Sequence, residues 1–66
     1  MQSEADILAL LKNRFPNVAK SQAFQWYVAR NGGFVTDIIE WGASAVICLN
    51  ADGIKLRIDE SGVREV

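Results

Sequence analysis

Apolar residues recur at three- and four-residue steps near the start of the chain. Ile7, Leu8, Leu11 and Phe15 form one stripe, with Leu10 at its edge. That spacing predicts an amphipathic helix over residues 3–15. Ser3 stands where an N-cap oxygen is wanted. Glu4 and Asp6 fall in the first turn and Lys12 and Arg14 in the last, each sign where the helix dipole favours it. Pro16 ends the pattern, because proline cannot continue the hydrogen-bond ladder and biases Phe15 away from helical angles.

Residues 19–33 carry two periods at once. As a helix, Ser21 caps the segment, and Ala23, Trp26, Tyr27 and Arg30 share a face. Asn31-Gly32-Gly33 then supplies a left-handed stop. As a strand, Phe24, Trp26 and Val28 point one way and Gln25, Tyr27 and Ala29 the other, and the same Asn-Gly-Gly becomes a hairpin loop into Phe34. The short connection after Pro16 suits an antiparallel helix pair. The favoured expectation is therefore a second helix over 20–31 with Trp26 and Tyr27 turned inward.

From residue 34 onward the pattern is strand and turn. Residues 34–40 form an extended candidate, although Val35, Ile38 and Ile39 also suit a short helix capped by Thr36, and 41–44 form a connection. Residues 45–49 and 54–58 flank Asn50-Ala51-Asp52-Gly53, a hairpin signal because Asn, Asp and Gly adopt turn angles cheaply. Ile54, Leu56 and Ile58 alternate with Lys55 and Arg57, giving one buried and one wet face. In 45–49 both alternating sets are apolar: Val46 and Cys48 against Ala45, Ile47 and Leu49. That is the pattern of a central strand covered on both faces. Residues 59–62 make a further turn, and 63–66 add a short edge strand. The expected architecture is a single α+β domain over 1–66, with one or two N-terminal helices packed on a three- to four-stranded antiparallel sheet.

Length sharpens this picture. A chain of 66 residues buries only about 60% of its surface on folding, and domains of this size usually lean on disulfides, a metal or a partner chain. Cys48 is the one cysteine, so no intrachain disulfide can form, and in its apolar run it reads as a small buried hydrophobe. Histidine is absent, which removes the common zinc, copper and non-haem iron ligand sets. Asp52, Asp59 and Glu60 are not spaced like a calcium loop. No metal and no cofactor is expected, and self-association is the addition left. Aromatic area at Trp26, Tyr27, Phe34 and Trp41, together with strand edges that can pair between chains, points the same way.

Catalysis lacks parts. No histidine serves general acid–base work, and no Gly-x-Ser-x-Gly, phosphate-binding glycine loop or dinucleotide fingerprint occurs. Lys12, Lys20 and Lys55 read as solvated lysines. The expectation is no enzyme, no catalytic residue and no small-molecule ligand. The longest apolar run, 7–11, is five residues, far short of a membrane span. Glu4 and Asp6 stand where a secretory signal would carry positive charge. A cytoplasmic protein without membrane contact is expected.

The net charge of −1 hides a segregation. Residues 7–36 hold four cations (Lys12, Arg14, Lys20 and Arg30) and no acids, while 37–66 hold six acids and three cations. Lys12, Arg14, Lys20, Trp26, Tyr27 and Arg30 are accordingly the candidate interaction residues. A basic, aromatic-bearing face could hold nucleic acid by phosphate contacts and stacking. An isoelectric point near 5.1 falls well short of the usual basic footprint of such proteins. The first expectation for function is a non-enzymatic protein-binding or regulatory module that self-associates as a homo-oligomer. The alternative is a small nucleic-acid-binding regulator using the 12–30 face.

Two local resemblances accompany this reading. Asn50-Ala51-Asp52-Gly53 after an apolar strand resembles the C-terminal hairpin of Cro-type repressors, which would imply DNA binding. The recognition helix of that family would fall near 35–41, where Asp37 and Glu40 would face phosphates, so its helix-turn-helix is not matched. The helix ending in Phe15-Pro16-Asn17, with the closing stretch 49–66, is similar to small PepSY-like domains. Those are inhibitory or binding modules, usually exported, and the segment between the two parts is longer here than in that pattern.

Overall fold

The computed structural model describes residues 3–29 and 35–66. Helix α1 runs over Glu4–Arg14. Its N-terminus is closed by a capping box, in which the Asp6 N–H donates to Ser3 Oγ at 3.2 Å and the Ser3 N–H to the Asp6 carboxylate at 3.5 Å. The stripe lies as the spacing predicts. Ile7, Leu11 and Phe15 are buried, Leu8 packs against the core and Leu10 stays exposed. At the C-terminus the Phe15 N–H donates to the Leu11 carbonyl at 2.9 Å, and Pro16 follows.

A single 3-10 turn, Val18–Lys20, leads into helix α2 over Gln22–Tyr27. Ser21 caps α2, accepting from the Phe24 N–H at 3.2 Å and donating to the Val18 carbonyl at 2.6 Å. The second helix therefore exists but differs from the expected 20–31. Lys20 belongs to the 3-10 turn, and α2 ends at Tyr27, where the Val28 and Ala29 N–H groups both reach back to the Phe24 carbonyl. The expected stop at 31–33 lies outside the described residues, as do Arg30 and Phe34.

The inward face of α2 is also different. Phe24 and Val28 are fully buried, Tyr27 is half-buried and Trp26 is 62% exposed. Two stripes compete here, Ala23/Tyr27 and Phe24/Val28, each four residues apart. The 3-10 turn settles the phase. It buries Val18 and Ala19, and Gln25 Nε2 ties back to the Ala19 carbonyl at 2.9 Å, which places Phe24 over the core.

Four antiparallel strands follow as a meander, β1 over Val35–Trp41, β2 over Ala45–Asn50, β3 over Lys55–Asp59 and β4 over Gly62–Glu65. The short helix that Thr36 could have capped does not form, and Trp41 belongs to β1 rather than to the connection. Gly42 makes the tight turn into β2. Its N–H donates to the Ala45 carbonyl at 2.9 Å, and a Cβ there would stand 2.8 Å from that oxygen. The β2–β3 turn is organised by Asn50, whose buried Oδ1 accepts from the Asp52 and Ile54 N–H groups at 3.0 Å each. Gly53 takes φ +80° there, a left-handed conformation that suits glycine.

Both helices cover one face of this sheet, α1 over β1 and α2 over β4. Val46, Cys48, Leu56 and Ile58 from that face are fully buried in one cluster with Ile7, Leu11, Phe15, Phe24, Val28 and Val35.

Candidate interaction surface

Strand pairing fixes what the opposite face carries. One row across it runs Asp37, Leu49, Lys55, and the next runs Glu40, Ile47, Arg57, Arg64. A third row joins Ala45, Asp59 and Gly62. The columns are therefore sorted by chemistry. Strand β1 presents two carboxylates, β2 presents Ala45, Ile47 and Leu49, and β3 with β4 present three cations and one carboxylate.

The apolar column of β2 is partly exposed, and none of its three residues packs against the core. The expectation of a strand covered on both faces is corrected here. Among the described residues both helices lie on the Val46/Cys48 side, and Ile47 and Leu49 stay partly exposed on the other. On the β3–β4 side Asp59 Oδ2 bridges two cations, Arg57 Nε at 3.5 Å and Arg64 Nη2 at 3.4 Å. The Asp59 Oδ1 atom accepts from the Ser61 N–H at 2.8 Å, fixing the β3–β4 turn.

Strand β1 departs from regular pairing at two points, between Val35 and Asp37 and between Ile38 and Glu40. Thr36 and Ile39 are the extra residues; Thr36 Oγ1 donates to the Leu49 carbonyl at 3.2 Å, and Ile39 is 49% exposed. Such bulges bend an edge and interrupt its free ladder.

The six residues singled out from the sequence occupy other places. Arg14, at the end of α1, donates from Nη2 to the Gly42 and Ala43 carbonyls at 2.8 and 2.6 Å. Its guanidinium also lies 5.2 Å from the Phe15 ring centre and 5.1 Å from that of Trp41. Tyr27 donates its hydroxyl to Glu65 Oε2 at 3.2 Å. That bond and the carboxylate's charge raise the phenol above its ordinary range. Arg14 thus sits at the β1–β2 turn and Tyr27 against β4, tied to different parts of the sheet. Lys12, Lys20 and Trp26 are exposed on α1, the 3-10 turn and α2 respectively. Arg30 lies outside the described residues.

Alternation placed Lys55 and Arg57 on the wet face of their strand, and the structure agrees; it did not join them to Asp37, Glu40 and Arg64 as one surface. A signal was present in the doubly apolar alternation of 45–49. It could have been joined to the fact that two short helices supply one covering layer, not two.

Among the described residues no group of three or more Cys, Asp or Glu could hold a metal ion. No helix among them is long and apolar enough to cross a membrane. No protein-family model, curated protein or solved structure matches the chain.

Proposed function

We propose that this chain is a non-catalytic binding module that works through the open face of its sheet, and that it binds protein, a second copy of itself included. The observation that carries the reading is the apolar column Ala45, Ile47 and Leu49, partly exposed on the face of a central strand opposite the core. The solvated face of an antiparallel sheet ordinarily carries polar residues, so an apolar column there favours a covering partner, and small domains commonly gain stability from one. The cytoplasm suits such a protein, since its one thiol, Cys48, is buried and unbridged.

Sedimentation equilibrium across the micromolar range tests this. The native chain is expected to exceed the monomer mass, and Leu49→Lys to return it to monomer. Leu10→Lys, on the exposed side of α1, is expected to leave association unchanged. A native chain that stays monomeric and folded at about 100 micromolar, or a Leu49→Lys variant that associates like the native chain, overturns the reading.

A second reading, a small nucleic-acid-binding regulator, draws on exposed Lys12 and Lys20 and on Trp26, 62% exposed. Such binding weakens steeply with salt. An electrophoretic shift at low salt that disappears at high salt supports it, and no shift at low salt removes it.

A further inference from the structure

The order of columns on the open face, acid then apolar then base, has a geometric property. Strands β1 and β3 flank β2 at equal distances of about 4.8 Å. Rotation by half a turn about an axis lying over β2 and parallel to it therefore brings the β1 column over the β3 column of a second copy. We propose that the chain forms an isologous face-to-face dimer about this axis, with Asp37 opposite the partner's Lys55, Glu40 opposite the partner's Arg57, and Leu49 and Ile47 meeting their own copies. The proposal rests on the open-face reading above and adds the partner's orientation.

Charge selects this arrangement over the other two-fold that keeps stacked strands aligned. An axis across the strands lays Asp37 over the partner's Glu40 and Lys55 over the partner's Arg57, like on like in both cases. Like charges directly opposed cost free energy, while complementary ones fix register. Sheets stacked face to face lie about 10 Å apart and cross at about 30°. At one strand spacing from the axis that crossing displaces a side chain by about 2.4 Å, within the reach of Lys and Arg.

The edges argue against pairing there instead. Strand β1 is bulged at two places and β4 has four residues, both devices that blunt edge-to-edge association. The face is small. Four strands of about five residues cover about 19 by 17 Å, well under the roughly 800 Å² per partner of a standard interface. The dimer is accordingly expected at micromolar rather than nanomolar concentration.

A charge-reversal cycle in the Asp37 row tests the orientation. Sedimentation equilibrium is measured for the native chain, Asp37→Lys, Lys55→Glu and the double variant, with thermal melts confirming that each folds. Each single reversal acts twice in a two-fold dimer and is expected to raise the dissociation constant about tenfold. The double variant restores acid opposite base and is expected to return within about threefold of the native value. Glu40→Arg with Arg57→Glu repeats the cycle in the adjacent row.

Single reversals without effect, or a double variant as weak as either single, overturn the two-fold. If Leu49→Lys still dissociates the protein in that case, the open-face reading stands and the orientation alone fails. If Leu49→Lys changes nothing, the reading fails with it.

Discussion

Cys48 is fully buried in β2 between Val46 and Asn50, and loss of water around its sulfur pushes the thiol up to about 11 from an ordinary 9.0. The apolar setting that the sequence showed at 45–49 is thus the setting of an inert thiol. In the unfolded chain this group ionises near its ordinary value, and in the fold it holds its proton to higher pH. Its contribution to stability is complete below pH 9 and is lost as pH rises toward 11, by about 2–3 kcal/mol. The urea midpoint is expected to fall between about pH 8 and pH 10.5, and Cys48→Ala is expected to lose the part of that slope due to the thiol. A native slope identical to that of the variant contradicts the assignment. A thiol reagent is expected to react slowly in native buffer and fast in denaturant.

Elements were legible wherever local chemistry fixed them. The Ser3 cap, the acidic first turn of α1 and the Asn50–Gly53 turn all rest on contacts between near neighbours. The phase of α2 was not legible, because adjacent stripes of similar apolar character competed and contacts with Ala19 and the core decided between them. The bulges of β1 escaped for a related reason. They are set by pairing with β2, which no run of seven residues encodes alone.

The observed phase of α2 has a measurable consequence. Phe24→Ala is expected to destabilise the domain by about 3–5 kcal/mol by opening a cavity in the core, enough to unfold much of a domain this small. Trp26→Ala is expected to cost far less, because most of that ring is exposed. Urea denaturation of the two variants checks the order. Trp26→Ala proving the more damaging would reinstate the inward Trp26 that the sequence suggested.

Over the whole molecule, fold class could be read from the chain because capping, alternation and turn chemistry agreed with one another. The candidate surface could not, because a strand that is apolar on both sides says nothing about which layer supplies its second cover. Charge counted along the sequence drew attention to a basic N-terminal half. Folding redistributes it. Arg14 is tethered to the β1–β2 turn and Tyr27 to Glu65, while the ordered array of opposite charges lies on the far side of the sheet. Its acidic column comes from β1 and its basic column from β3 and β4, segments that the sequence places apart.

The most direct test of the claim that the open sheet face is the binding surface is a dilution series followed by backbone amide chemical shifts. Concentration-dependent shifts are expected at residues 37–40, at Ala45, Ile47 and Leu49, and at Lys55, Arg57 and Arg64, with the outer side of α1 around Leu10 unchanged. Shifts confined to the helices, or no change from the micromolar to the millimolar range, would contradict the account.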